Sequence, residues 1–94
     1  MLSIVKPPRL SRYNLDVQIP QDDMIIALML RKMRRDREKS QDAVAVHLNL
    51  PQNVVSRMEK GERRITLPEL RAICEFFEVP LLDFVAEYLQ RRSH

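Results

Sequence analysis

The chain has 94 residues, with 16 Lys or Arg against 13 Asp or Glu and a net charge of +3. That length holds one compact domain and leaves no room for a catalytic cleft between lobes. One glycine, six prolines and 45% hydrophobic residues argue against disorder and against a turn-rich barrel, and 5% aromatics with no Trp leave the core to Leu, Ile, Val, Met and Ala, which suits helices.

Residues 1–20 read as an N-terminal arm, partly extended, ahead of a domain at 21–94. Pro7, Pro8 and Pro20 oppose helix, and Leu15, Val17 and Ile19 alternate with Asp16 and Gln18 in a strand-like pattern. Met1–Val5 is too short for a secretory signal, and no apolar run approaches ~20 residues. A cytoplasmic, nucleoid-associated protein is expected, and the single Cys74 fits a reduced compartment.

From Gln21 the period becomes helical. Asp22 and Asp23 suit a helix start, Ile26, Met29, Leu30 and Met33 form an apolar stripe, and the helix should end near Arg37–Lys39. Ser40 is an N-cap for a second helix, Gln41–Leu48, with Val44, Ala45 and Leu48 on its apolar face. Asn49 tolerates the left-handed backbone that ends a helix. A third helix starts with Pro51 at its first position and runs to about Lys60, with Gly61 after it. Thr66 to Glu69 spells a capping box for a fourth helix whose apolar face is Leu67, Leu70, Ile73, Cys74 and Phe77. Val79 and Pro80 break it, and a fifth helix covers roughly Leu81–Arg92. The expectation is all-α, five short helices with tight connections.

Two short helices joined by a tight turn, within residues 40–60, are the layout of a helix-turn-helix. Leu50, Val55 and Met58 should point to the core, leaving Gln52, Asn53, Val54, Ser56 and Arg57 outward. Gln and Asn can pair bidentately with adenine, Arg with guanine, and Val can meet a thymine methyl. Residues 31–39 carry six basic residues against two acidic, and Arg57, Lys60, Arg63 and Arg64 add a second basic stretch. Both favour a polyanionic partner, with helix one and the 60–64 loop able to reach phosphate.

Residues 24–88 resemble the lambda-repressor-like helix-turn-helix family. The resemblance is carried by Leu30 to Arg34, by Ser40 to Ala45, by the run from Val55 to Arg64 with its Glu59-Lys60-Gly61, and by Phe77 to Pro80. It implies a five-helix DNA-binding domain regulating transcription, with a repressor acting as a homodimer on a palindromic operator as the leading reading. Gln41 would bind phosphate and brace a recognition residue. Gln52, Asn53 and Arg57 would read bases, Arg34 and Glu59 would form an ion pair between helices, and Lys60, Arg63 and Arg64 would touch backbone phosphate. Asn49 stands where the family usually has Gly, and Pro51 where it has Ser or Thr, which removes a side-chain cap.

Enzymatic activity is not expected. His47 has no metal-ligand spacing and reads as a surface residue, Ser40 is explained by capping, and Cys74 sits on an apolar helix face. Met24, Met29 and Met33 read as core fillers, and no cofactor or metal is implied. The alternative to a plain regulator is an antitoxin or interaction module, with a protein partner on residues 1–20. Helix five has an apolar arc of roughly 200° where a core-capping helix needs nearer 100°. Assigning Leu82, Val85 and Leu89 to the core leaves Leu81, Phe84 and Tyr88 as an outward ridge. Either a second subunit or Leu15, Val17 and Ile19 of the arm could cover it; the dimer is favoured, because two-fold symmetry would space two recognition helices one DNA turn apart.

Overall fold

A computed structural model describes residues 19–93. Five α-helices follow in order: α1 (Ile19–Asp36), α2 (Gln41–Leu48), α3 (Gln52–Glu59), α4 (Leu67–Phe76) and α5 (Leu81–Arg92). No strand occurs among the described residues. Helix α1 begins two residues earlier than its apolar period suggests, so Ile19 is helical rather than extended and Pro20 lies in the first turn. A proline fits there because the first N–H groups of a helix have no intrahelical partner. Leu15, Val17 and the rest of the expected arm lie outside the described residues.

The first four helices end by one device. Glu38, Asn49, Gly61 and Glu78 all take positive φ, between 54° and 73°. After each, the next amide reaches back to close the turn: Lys39 to the Arg34 carbonyl, Leu50 to Ala45, Glu62 to Arg57 and Val79 to Cys74, at 2.9–3.1 Å. These bonds satisfy carbonyls that the helix end would leave open. Starts are equally local. Ser40 Oγ accepts from the Ala43 amide, and Thr66 and Glu69 make both bonds of the capping box. Pro51 is the residue before α3 rather than its first helical residue, and it offers no side-chain cap.

Met29, Leu30 and Met33 of α1 pack with Val44 and Ala45 of α2, Val55 of α3, and Leu70, Ile73 and Cys74 of α4, closed by Phe77 and Phe84. Burial pushes the Cys74 thiol up, which keeps it protonated and inert. Leu67, expected in the core, is 65% exposed, because as the residue straight after the Thr66 cap it sits in the outward capping turn.

Helix α5 presents the opposite face from the one expected. Phe84 is 4% exposed and is part of the core, with Leu81 and Tyr88 packed beside it. Leu82 and Leu89 are 80% and 53% exposed. The ridge of Leu81, Phe84 and Tyr88 is therefore a core face and not an outward one. Two features favour this rotation. Phe is the largest apolar side chain on α5 and removes most area from water when buried. At the far end Arg92 Nε donates to Asp22 of α1 at 3.0 Å. Burial, with Asp22 alongside, also pushes the Tyr88 phenol up, as expected of a group on the α1–α5 seam.

Candidate DNA interface

The turn at Asn49 sets α3 against α2, with α4 packed on α2 and α1 packed on α3. Val55 and Met58 anchor α3 in the core at 2% and 1% exposure. Its other side carries Gln52, Asn53 and Arg57, all exposed, while Val54 and Ser56 are half-buried at the edges. The exposed set faces solvent as a groove-reading surface requires; Val54 and Ser56 have less reach.

A continuous chain of polar contacts runs from α1 to the start of α3. Arg34 Nε donates to Glu59 Oε2 at 2.7 Å and Arg34 Nη2 to Glu59 Oε1 at 3.0 Å, a two-pronged ion pair. The third guanidinium nitrogen, Nη1, donates to the Lys39 carbonyl at 2.7 Å. Gln41 Nε2 donates to the same Glu59 Oε1 at 3.0 Å. Gln52 Nε2 then donates to Gln41 Oε1 at 2.7 Å. Glu59 is 6% exposed, and such a buried carboxylate is tolerable only because Arg34 and Gln41 satisfy it. The consequence reaches the surface: Gln41 is oriented by Glu59, and Gln52 is oriented by Gln41. Gln52 keeps its Oε1 and one N–H free, the donor and acceptor that an adenine edge needs.

The basic residues divide into held and unheld. Arg63 donates to Glu69 at 2.6 Å and to the Arg64 carbonyl at 2.9 Å. Its hydrogen bond to Glu69 raises the Arg63 pKa and lowers that of Glu69, against the opposing effect of burial. Arg64 pairs with Asp23 at 3.1 Å, although its side chain is 76% exposed. The loop arginines expected at phosphate are thus engaged with carboxylates, which the sequence could not reveal for partners brought together by folding. Lys60 is exposed, makes no side-chain contact of this kind among the described residues, and borders a cleft of about 90 Å³ between α1 and α3. Arg31, Arg35, Gln41, Ser56 and Glu59 complete that cleft. The sequence marked Arg31 and Arg35 only as part of the basic run of helix one.

His47 stacks on Phe76, with ring centroids 4.7 Å apart. No cluster of three or more metal-ligating side chains occurs among the described residues, nor is any helix there long and apolar enough to cross a membrane.

A helix-turn-helix family profile matches residues 30–84, more than half of the chain. Among solved structures, the chain is similar to the wild-type restriction-modification controller protein C.Esp1396I, with 20% identity over 78% of this chain and 96% of that one and a TM-score of 0.69. The controller protein C.AhdI from Aeromonas hydrophila matches at 20% identity over 68% and 97%, with a TM-score of 0.63. The clp gene regulator ClgR from Corynebacterium glutamicum matches at 17% identity over 77% of each chain, with a TM-score of 0.70. At these identities the likeness is one of fold. No match was found among curated proteins. With its matched profile, its five helices and its exposed third helix, the chain belongs to the lambda-repressor-like helix-turn-helix family of DNA-binding transcription regulators.

Proposed function

We propose that the protein is a transcriptional repressor that binds a palindromic operator as a homodimer, reading bases through Gln52, Asn53 and Arg57. The observation that carries this reading is the braced Gln52: a side chain at the exposed start of α3, held by Gln41 and, through it, by the buried Glu59. Holding a long side chain in place before binding reduces the ordering cost of the contact. Gln41, at the start of α2, can also present its helix N-terminus to a phosphate.

For the second subunit, the outward face of α5 is the suitable surface. Leu82 and Leu89 are exposed and Val85 is half-buried between them, so the face left over from the core is apolar. A two-fold contact there would carry two recognition helices, to be set about 34 Å apart on one side of the DNA.

Selection of binding sites from a random duplex pool, followed by affinity measurements, tests the reading. A palindromic consensus is expected, with binding that falls on the order of a thousandfold between 50 and 200 mM salt. Gln52→Ala or Arg57→Ala should relax preference at one or two base positions. Leu82→Glu with Leu89→Glu should give a folded monomer in sedimentation with weaker operator binding. Recovery of no consensus, or salt-independent binding, would reject the proposal.

A further inference from the structure

The geometry points to Met24 as a modification site: oxidation of its thioether to the sulfoxide by hydrogen peroxide frees the loop that follows α3 and weakens DNA binding. The effect on binding rests on the DNA-binding reading above; the site and its hold on the loop do not.

The described residues carry sulfur at Met24, Met29, Met33, Met58 and Cys74. Four of these side chains are buried in the core. Cys74 among them stays a thiol, because burial opposes the thiolate that would react with peroxide. Met24, expected from its sequence position to fill the core, is instead 41% exposed. An oxidant must touch the sulfur it oxidises, so Met24 is the one it meets first among these five.

Exposure alone would leave the reaction without consequence; the placement of Met24 supplies one. Met24 stands near the start of α1, and its methylthio end lies on Gly61, just after the Lys60 cap of α3. A Cβ added to Gly61 would lie 2.8 Å from Met24 Cε and 3.4 Å from Sδ, so little more than hydrogen fits between them. Two backbone bonds close α3 at this point. The Gly61 amide donates to the Met58 carbonyl at 3.1 Å, and the Glu62 amide donates to the Arg57 carbonyl at 2.9 Å. The residue before Met24, Asp23, accepts from Arg64 Nε at 3.1 Å. The start of α1 therefore holds the loop at two places, an apolar one at Gly61 and a charged one at Arg64.

Oxidation removes the apolar one. A lone pair of the Met24 sulfur attacks one peroxide oxygen, the O–O bond breaks and an S–O bond forms. The sulfur gives up two electrons, and the departing hydroxide takes the proton left on the transferred oxygen and becomes water. The product is a polar side chain where an apolar one was packed. Its new oxygen requires water, and the surface against Gly61 has no space for another heavy atom, so the end of the side chain turns to solvent. The loop is then left with the Asp23–Arg64 pair, an exposed ion pair of the kind worth little. The bonds that close α3 loosen with the loop, and one of them ends on Arg57, a proposed base reader. Methionine sulfoxide reductases reverse the reaction, so the change is recoverable.

Peptide mapping by mass spectrometry after graded peroxide treatment of the folded protein tests the site. Met24 should gain oxygen well before Met29, Met33 and Met58; equal rates at all four would overturn the proposal. Amide hydrogen exchange tests the hold on the loop. Exchange at Gly61 and Glu62 should quicken in the oxidised protein and in unoxidised Met24→Gln, which puts a polar group of similar length at the position. Met24→Leu, which keeps an apolar contact without an oxidisable sulfur, should show slow exchange before and after peroxide. Unchanged exchange in protein fully oxidised at Met24 would overturn the proposal. Affinity for a selected duplex should fall roughly threefold to tenfold on oxidation, the effect of losing about one hydrogen bond. Sulfoxide reductase with a thiol reductant should restore it, and Met24→Leu should keep its affinity through the same treatment. An equal loss in peroxide-treated Met24→Leu would place the sensitive group elsewhere and overturn the proposal. If untreated wild-type protein bound no duplex, the DNA reading itself would fail, while mapping and exchange would still decide the site.

Discussion

Removing Glu59 should damage both stability and recognition, by amounts the geometry sets. In Glu59→Ala, Arg34 loses two charge-assisted hydrogen bonds while its side chain remains 12% exposed, and Gln41 loses its acceptor. Breaking a buried pair from one side typically costs about 3–5 kcal/mol. Arg34 keeps its bond to the Lys39 carbonyl and reaches some water, so about 2–4 kcal/mol is a fair expectation here. For a small domain with a urea m-value of about 1 kcal/mol/M, the unfolding midpoint should fall by roughly 2–4 M. Arg34→Ala with Glu59→Ala leaves no stranded charge and should cost less than the sum of the single changes by at least about 1 kcal/mol. Duplex binding supplies the second readout. With Glu59 gone, Gln41 is free to turn and Gln52 loses its brace, so preference at the base read by Gln52 should relax even under conditions where the variant is fully folded. Additive stability effects within about 0.5 kcal/mol, or unchanged base preference in folded Glu59→Ala, would refute the idea of one coupled chain from α1 to α3.

Other expectations follow from single positions. Gly61→Ala should lose about 1–2 kcal/mol in urea unfolding, because φ is +73° and an added Cβ would lie 2.8 Å from Met24 Cε; full rescue by Met24→Ala would assign the loss to the clash instead of the backbone. Glu78→Gly should stabilise by up to about 1 kcal/mol, since its left-handed backbone is costly for a residue with a Cβ, and a net loss would show that the Glu78 side chain contributes. Glu69 has a pKa lowered chiefly by Arg63, so its contribution should be complete above the ordinary carboxylate range and vanish as pH falls through the depressed value. The stability gap between wild type and Glu69→Gln should accordingly close in acid, and a gap that persists at low pH would contradict the assignment. Asp23→Asn should release Arg64 with at most about 1 kcal/mol of stability lost and slightly tighter duplex binding; weaker binding would show that Asp23 orients Arg64 for DNA.

Much of the frame is legible locally because its punctuation is local. Ser40, Asn49, Gly61 and the pair Thr66 and Glu69 act on backbone groups within a few residues, so their chemistry can be read without knowing the fold. Glu38 and Glu78 occupy the same left-handed position as Asn49, yet glutamate has no preference for it; the turn is imposed by the bonds that close it and by the packing on either side. The partners of Arg63 and Arg64 were hidden for a similar reason. Asp23 is forty-one positions from Arg64 and meets it only when the start of α1 packs under the loop. A basic residue in a sequence is a charge; whether that charge is available is decided by tertiary structure.

Helix α5 shows where periodicity stops being informative. An apolar arc of about 200° contains more than one stripe wide enough for a core, and the hydrophobic period gives the arc without saying which edge turns inward. Size and anchoring decide it: Phe84 fills the core, and the Arg92 contact to Asp22 fixes the far end. The inversion matters for function because it changes which residues remain. With Leu81, Phe84 and Tyr88 committed to the monomer, a second subunit would have to use the Leu82, Val85 and Leu89 side. That side is continuous along the helix and opposed to the core, so a contact there could form without loosening the packing of α1 against α5. Dimerisation and folding would then be separable, and substitutions on the two faces of one helix should act on different properties: Phe84 on stability, Leu82 and Leu89 on assembly.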